Sequence, residues 1–137
     1  MLLVNARSEA TIASDVNLAL TRAQRRQGLL GRDSLDLSSA LVISPCWSIH
    51  TMFMRFAIDV VFVDRDGRAL RMVSDLAPWR MAAARRAHAV IELPAGSLRT
   101  RDIRVGDELY LAPPVSAALH VLRRPTLGFW DRTCQRS

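Results

Sequence analysis

Residues 49–75 read IHTMFMRFAIDVVFVDRDGRALRMVSD, and the second half of this stretch predicts a β-hairpin. One arm, residues 57–63, is rich in β-branched and aromatic side chains, which favour strands. The other arm comprises residues 68–73. Between the arms lies Asp64-Arg65-Asp66-Gly67, where the glycine can adopt the positive φ that a tight turn requires. We therefore expect this hairpin at the centre of the fold.

Short apolar runs of strand length lie on both sides of the hairpin. They cover residues 1–4, 10–13, 16–20, 40–44, 88–93 and 104–111. Residues 47–53 are expected to form a strand or an irregular crossing. The arginine-rich residues 80–87 are expected to form an exposed loop or a single helical turn. Residues 97–101 predict one helical turn that Ser97 caps.

One early helix is predicted from its capping residues. Thr21 and Gln24 have the spacing of a capping box, in which the two side chains bind each other's backbone amides. The helix is expected to cover about residues 22–30, and Gly28 is expected to help end it. Its expected buried face consists of Ala23 with Leu29 or Leu30.

These elements predict a mostly β (α+β) fold, a small barrel-like antiparallel sheet domain with one short helix near residues 22–30. No βαβ alternation is evident, which disfavours a doubly wound sheet. The length of 137 residues fits one domain. We expect residues 1–113 to form that domain and residues 114–137 to form a C-terminal extension, with a short helix followed by an irregular tail.

The composition argues against membrane and nucleic-acid partners. No apolar run approaches the ~20 residues of a membrane helix, and the start of the chain lacks the basic region of a signal peptide. A cytoplasmic protein is therefore expected. The net charge is +6, and every basic residue is arginine. These arginines are scattered among carboxylates without an aromatic platform, which favours a solvated basic surface over a nucleic-acid site.

The sequence offers little support for metal or redox chemistry. Cys46 and Cys134 are far apart and lack a metal-binding spacing, so both are expected to be free thiols. The three histidines show neither H-x-H nor H-x-x-x-H spacing. A facial triad of His50, Asp59 and Glu92 is conceivable, but nothing in their spacing requires it. We therefore expect no metal and no cofactor.

Four motifs occur in a fixed order along the chain. They are R-x-x-G-L-x-x-R at residues 25–32, H-T-x-x-M-x-x-x-I-D-x-x-F-x-D-x-x-G at residues 50–67, V-x-E-x-P-A-G at residues 90–96, and G-D at residues 106–107. Together they resemble the family catalogued as domain of unknown function 192, over about residues 10–112. Ala57 departs from the resemblance, since the family often has proline there. The resemblance implies a compact β-rich fold and brings no established reaction.

Charged residues inside apolar strands mark the candidate site. Asp59 and Glu92 each interrupt an apolar run, and a buried carboxylate needs a partner. Arg32 and Arg55 are candidate partners, because a guanidinium binds a carboxylate through two hydrogen bonds. His50 is expected on a strand next to Asp59, where the two would form a general base and its orienting acid. The candidate ligand-binding residues are Arg32, His50, Met54, Arg55, Asp59 and Glu92, of which His50 and Asp59 are also the catalytic candidates.

Two interpretations of this constellation stay open. It is either a polar pocket for a small anionic or hydroxylated ligand, or an internal ion-pair network that fixes the strand register. A soft apolar cluster is either core or one wall of a cleft, which Trp47 and Trp79 would flank. Its members are Met52, Phe53, Met54 and Phe56.

We expect a non-catalytic domain that binds a small molecule or a protein through a polar cleft. The alternatives are a hydrolase or lyase that uses a His50–Asp59 pair, and a weak binder of nucleic acid or an anionic surface.

Overall fold

The structure, a computed structural model, describes residues 1–113. Within them the strands are β1 (Leu2–Asn5), β2 (Thr11–Ala13), β3 (Asp15–Ala19), β4 (Ser39–Ile43), β5 (Ser48–His50), β6 (Ile58–Val63), β7 (Ala69–Leu76), β8 (Met81–Ala83), β9 (Ala89–Pro94) and β10 (Leu109–Ala112). The helices are α1 (Arg22–Gln27) and α2 (Ser97–Thr100). The extension over residues 114–137, with its predicted helix, lies outside the described residues. None of the helices in residues 1–113 is long and apolar enough to cross a membrane.

The strands form three sheets in the described part of the chain. A five-stranded sheet has the order β3-β4-β9-β6-β7, a three-stranded sheet has the order β10-β1-β2, and β5 pairs with β8 alone. The prediction of a mostly β fold is confirmed. Residues 1–113 contain no closed barrel, so the barrel-like description holds only loosely.

The predicted hairpin is confirmed as β6 and β7 of the central sheet, with Val61 opposite Met72. Gly67 has φ 78°. Its amide donates to the Asp64 carbonyl oxygen at 3.0 Å. The Asp64 carboxylate also accepts from the backbone amides of Asp66 at 2.9 Å and Arg68 at 3.0 Å. The aspartate and the glycine together fix the turn between the two strands.

One parallel connection corrects the sequence-based topology. β3 and β4 are parallel neighbours, with Asp15 opposite Ser39 and Ala19 opposite Ile43. Parallel strands need a crossover of a dozen or more residues, and residues 20–38 with α1 supply it. The chain therefore contains one βαβ unit. The helix itself was predicted, but the parallel pairing of β3 with β4 depends on contacts between strands that residues 20–38 separate.

Helix α1 begins at the predicted capping box, and only part of its predicted buried face is confirmed. The Thr21 hydroxyl accepts from the Gln24 amide at 3.1 Å, and the Gln24 side chain accepts from the Thr21 amide at 3.1 Å. No residue of α1 is buried, so the prediction for Ala23 is wrong. Leu29, just after the helix, is buried as predicted. The chain beyond the helix therefore anchors α1 to the sheet.

Two further local predictions are wrong. Residues 81–83 form strand β8, because Ala82 packs opposite Ile49 of β5 and both are buried. Ser97 does not cap α2, whose N-cap is Gly96. The Ser97 hydroxyl donates to the Pro94 carbonyl oxygen at 2.6 Å instead.

Strands β6 and β9 pack against a hydrophobic core on each of their two faces. Every residue in both strands is buried. Their antiparallel register places Asp59 opposite Leu93 and Val60 opposite Glu92. Because side chains alternate between faces, Asp59 and Glu92 point to opposite sides of the sheet. Glu92 shares its side with Leu41 of β4.

Candidate functional site

A cleft of about 320 Å³ lies between α1, the turn that joins β4 to β5, and strand β5. Leu29, Ile49 and Met54 provide apolar walls. All three belong to the core cluster on the Glu92 side of the central sheet. Glu92 also lines the cleft. The cleft therefore extends from the surface, where His50 is exposed, to one of the two cores.

Glu92 is a buried carboxyl whose Oε2 atom has no hydrogen-bond partner among the described residues. Its side chain is only 4% exposed. Burial raises the pKa of Glu92 to about 7, although the positive charge of Arg32 acts in the opposite direction. Native proteins seldom leave a buried polar atom unpaired, so this oxygen needs an explanation.

Three arginines of α1 line the cleft. Arg22, Arg25 and Arg26 lie three and four residues apart, which places them close together on the helix surface. Arg25 donates to the Leu20 carbonyl oxygen at 2.7 Å. The guanidinium groups of Arg22 and Arg26 form no hydrogen bond or ion pair with any residue in the described range. Among residues 1–113 the lining of the cleft is therefore strongly positive, and Glu92 is the one acidic side chain in it.

Three of the predicted site residues are brought together here. His50 and Met54 line the cleft with Glu92. His50 is exposed, and Met54 is buried. Arg32 lines a neighbouring groove, and its positive charge acts to lower the pKa of Glu92.

The predicted meeting of Asp59 with His50 and Glu92 is wrong. Asp59 is fully buried on the other side of the sheet. Its Oδ1 accepts from the Asp75 amide at 2.9 Å, and its Oδ2 accepts from the Leu98 amide at 2.8 Å. Leu98 is in the first turn of α2, so Asp59 caps that helix from a distant strand. No hydrogen bond joins Asp59 to His50 in residues 1–113, and the geometry does not support a His50–Asp59 base.

Arg55 also lies away from the cleft. Its guanidinium forms an ion pair with Asp33, and both side chains are largely exposed. Arg55 therefore does not partner either buried acid, contrary to the prediction. Surface ion pairs of this kind contribute little to stability.

The arginines of α1 and Cys46 line this site but were not among the predicted site residues. Cys46 lines the cleft, and its thiol donates to the Ser48 carbonyl oxygen at 3.1 Å. Burial raises the pKa of the Cys46 thiol, which keeps it protonated and unreactive. The capping box together with the spacing of Arg22, Arg25 and Arg26 was the available signal. It predicts three guanidinium groups on one face of a short helix.

The apolar residues around Met54 divide between the core and the surface. Met54 is buried, whereas Met52 and Phe53 are exposed. The Phe53 ring contacts Trp79, with ring centroids 4.7 Å apart. Trp47 and Trp79 are exposed and do not line the cleft, so they do not flank it as predicted.

The described part of the chain contains no cluster of side chains that could bind a metal ion. No group of three histidine, cysteine, aspartate or glutamate side chains in residues 1–113 is placed to hold an ion. The chemistry that the cleft offers is therefore hydrogen bonding from one carboxyl and charge from several guanidinium groups.

The model of the family DUF192, described as "Uncharacterized ACR", matches residues 3–111. The chain belongs to this family. A UPF0127 protein of Pyrococcus furiosus is 36% identical over 63 residues, which are 45% of this chain and 53% of that protein. The chain thus spans about half the length of this curated relative.

Two solved structures share the fold. One, from Sinorhizobium meliloti, is described as a proposed transcription regulator. It has a TM-score of 0.68 and 23% identity, covering 80% of this chain and 89% of that one. The other, a protein of unknown function from Novosphingobium aromaticivorans, has a TM-score of 0.68 and 20% identity, covering 81% of this chain and 84% of that one. At these identities the DUF192 chain shares their fold, and nothing further follows.

Proposed function

We propose that this DUF192 protein is a non-catalytic binding domain and that its ligand is a small molecule held in the cleft beside Glu92. The observation that carries the proposal is the unpaired Oε2 atom of Glu92. A carboxyl oxygen that is buried without a hydrogen bond costs ~1–3 kcal/mol of stability. A ligand group that binds this oxygen would recover that energy.

The surroundings of Glu92 support a ligand rather than a structural role. A structural carboxyl is expected to resemble Asp59, with both oxygens bound by backbone amides. The Glu92 carboxyl instead lines an opening of about 320 Å³ with apolar walls. Apolar walls with a few convergent polar groups are typical of small-molecule sites.

The same groups give little support to catalysis. A nucleophile would need activation by a nearby base, and burial raises the pKa of Cys46 instead of lowering it. His50 lies in the lining, but the acid that was expected to orient it is on the other side of the sheet. This geometry therefore supports ligand binding better than it supports a reaction, which would need an activated nucleophile or an oriented base.

A fragment screen by two-dimensional amide NMR tests the proposal. Fragments that occupy the cleft should shift the backbone amide signals of Leu29, Ile49 and Met54 in the wild-type protein. Glu92→Leu should abolish these shifts, because it removes the carboxyl but keeps an apolar side chain of similar volume. Glu108→Leu is the matched control, since Glu108 pairs with Arg68 and does not line the cleft. The proposal fails if no fragment shifts these amides, or if Glu92→Leu leaves the shifts unchanged.

Nucleic-acid binding is the rival suggested by the described role of the S. meliloti relative. It predicts tight, steeply salt-dependent binding of mixed-sequence oligonucleotides through the arginines. Fluorescence anisotropy with labelled single- and double-stranded oligonucleotides measures this directly. Absence of binding at low salt would exclude it.

A further inference from the structure

We propose that the ligand is a small organic anion with an apolar body, and that Glu92 binds its anionic group as a neutral acid by donating a hydrogen bond from Oε2. This inference rests on the proposed function and names the ligand class for the same cleft. It predicts that the ligand and a proton bind together.

The charged side chains that line the cleft with Glu92, among residues 1–113, are all arginines. Helix α1 contributes Arg22, Arg25 and Arg26, of which two have no partner in residues 1–113. Arg32, in the loop after α1, acts on Glu92 through its charge.

The other titratable groups at the cleft bring no negative charge. The Cys46 thiol follows β4, and the His50 imidazole is on β5. Strands β4 and β6 place only Leu41 and Val60 opposite Glu92.

This distribution favours an anion over a cation. An amine that approached Glu92 would pass several guanidinium groups without a second carboxylate to offset them. A carboxylate, sulfonate or phosphate would be attracted by those groups, because guanidinium groups bind such planar or tetrahedral anions well. The apolar walls of Leu29, Ile49 and Met54 then fit the rest of the molecule.

An anion beside Glu92 is compatible only with the protonated carboxyl. Two negative groups that share a site repel each other, so the bound anion disfavours ionisation of Glu92. The raised pKa, about 7, means that the free protein already carries this proton through much of the neutral range. Below that pH the anion binds without proton exchange. Above it, Glu92 must take up one proton from solvent when the anion binds.

Titration of the protein with benzenesulfonate tests the inference, because the sulfonate stays ionised across the pH range. Benzylammonium is the probe of similar size and opposite charge. Amide NMR should report benzenesulfonate binding in the cleft and little or no binding of benzylammonium. The affinity for benzenesulfonate should be level below about pH 6 and should weaken by about tenfold per pH unit above pH 7.

Variants separate the role of the proton from that of the side-chain shape. Glu92→Gln should still bind benzenesulfonate, because its amide donates a hydrogen bond, but the affinity should lose its dependence on pH. Glu92→Leu should lose binding at every pH. His50→Gln should keep the pH slope, which distinguishes the titration of Glu92 from that of the imidazole at the cleft.

The outcomes distinguish failure of this inference from failure of the proposed function. A benzenesulfonate affinity that does not change with pH, or preferential binding of benzylammonium in the cleft, would overturn the inference and leave the cleft as a ligand site. If neither probe shifts the cleft amides, the inference is wrong. If the fragment screen is also empty, the proposed function fails with it.

Discussion

The two buried carboxyls of the central sheet, Asp59 on β6 and Glu92 on β9, lie on adjacent strands but differ in what surrounds them. Asp59 is bound through both oxygens by backbone amides. Glu92 keeps one oxygen without a partner in the described residues and lines a cleft. The first carboxyl joins strand β6 to helix α2 and the end of β7. The Glu92 carboxyl forms no hydrogen bond that joins two elements within residues 1–113, and we propose that it binds a ligand.

The largest effect should come from removing the charge of Asp59. In Asp59→Asn the amide nitrogen would face a backbone donor, and one buried amide would lose its acceptor. We expect the free energy of unfolding to fall by about 3 kcal/mol. Urea denaturation monitored by circular dichroism measures this loss. A fall below about 1 kcal/mol would show that Asp59 is not the structural member of the pair.

The same chemical change at Glu92 should have the opposite sign. Glu92→Gln removes a group that is costly to ionise, so we expect the free energy of unfolding at pH 7 to rise by about 1–3 kcal/mol. The same urea denaturation measures it. A loss of stability as large as that of Asp59→Asn would contradict the distinction between the two acids.

The pH dependence of the free energy of unfolding should reflect the ionisation of Glu92. Its pKa rises from an ordinary 4.5 to about 7 on folding, so the folded state binds the proton more tightly. Its contribution is therefore fully present below pH 4.5 and is lost as the pH rises to about 7, by about 3 kcal/mol in total. Urea midpoints across this range should show the fall in wild type, and Glu92→Gln should remove it. A wild-type stability that rises over the same range relative to Glu92→Gln would contradict this assignment.

A smaller effect of opposite sign should come from Asp107. Burial acts to raise the pKa of this carboxyl, but hydrogen bonds from Arg7, Asn5 and the Arg104 amide outweigh it and lower the pKa to about 2. Its stabilising contribution is present above pH 3.8 and is lost as the pH falls towards 2. Because Arg7 is partly exposed, we expect only about 1 kcal/mol. In Asp107→Asn the free energy of unfolding should fall less between pH 3.8 and pH 2 than it does in the wild type. An equal fall in both proteins would contradict this.

The smallest effect should come from the exposed pair of Arg55 and Asp33. Arg55→Ala should change the free energy of unfolding by less than about 0.5 kcal/mol, since both side chains are solvated. The same urea assay gives the comparison. A loss above about 1 kcal/mol would mean that Arg55 has a role in the fold beyond this surface ion pair.

The sequence predicted the local elements because their signals are local. The β-branched run of β6, the Asp64–Gly67 turn and the Thr21–Gln24 capping box each lie within a few residues. Strand β8 was missed because its pairing with β5 comes from a distant part of the chain. The helix in the crossover between β3 and β4 was predicted, but the parallel pairing of these strands was missed because it depends on contacts between distant segments of the chain.

The division between Asp59 and Glu92 could not be predicted from the sequence. Strands β6 and β9 are buried on both faces, so they show no apolar–polar alternation that would reveal the orientation of a side chain. A shift of one residue in the register between β6 and β9 would place the two carboxyls on the same face of the sheet. Sequence reasoning therefore identified both buried acids and wrongly placed them together.

The most direct test of this account is the titration of Glu92 itself. The chain contains three glutamates, Glu9, Glu92 and Glu108, so selective ¹³C labelling of the glutamate carboxyl carbon gives a simple spectrum. Glu92→Gln assigns the relevant signal by removing it. We predict a titration midpoint of about 7 for Glu92, and benzenesulfonate should shift this midpoint upward. A midpoint near the ordinary 4.5 would contradict the claim that Glu92 is the unpaired buried acid of a ligand cleft.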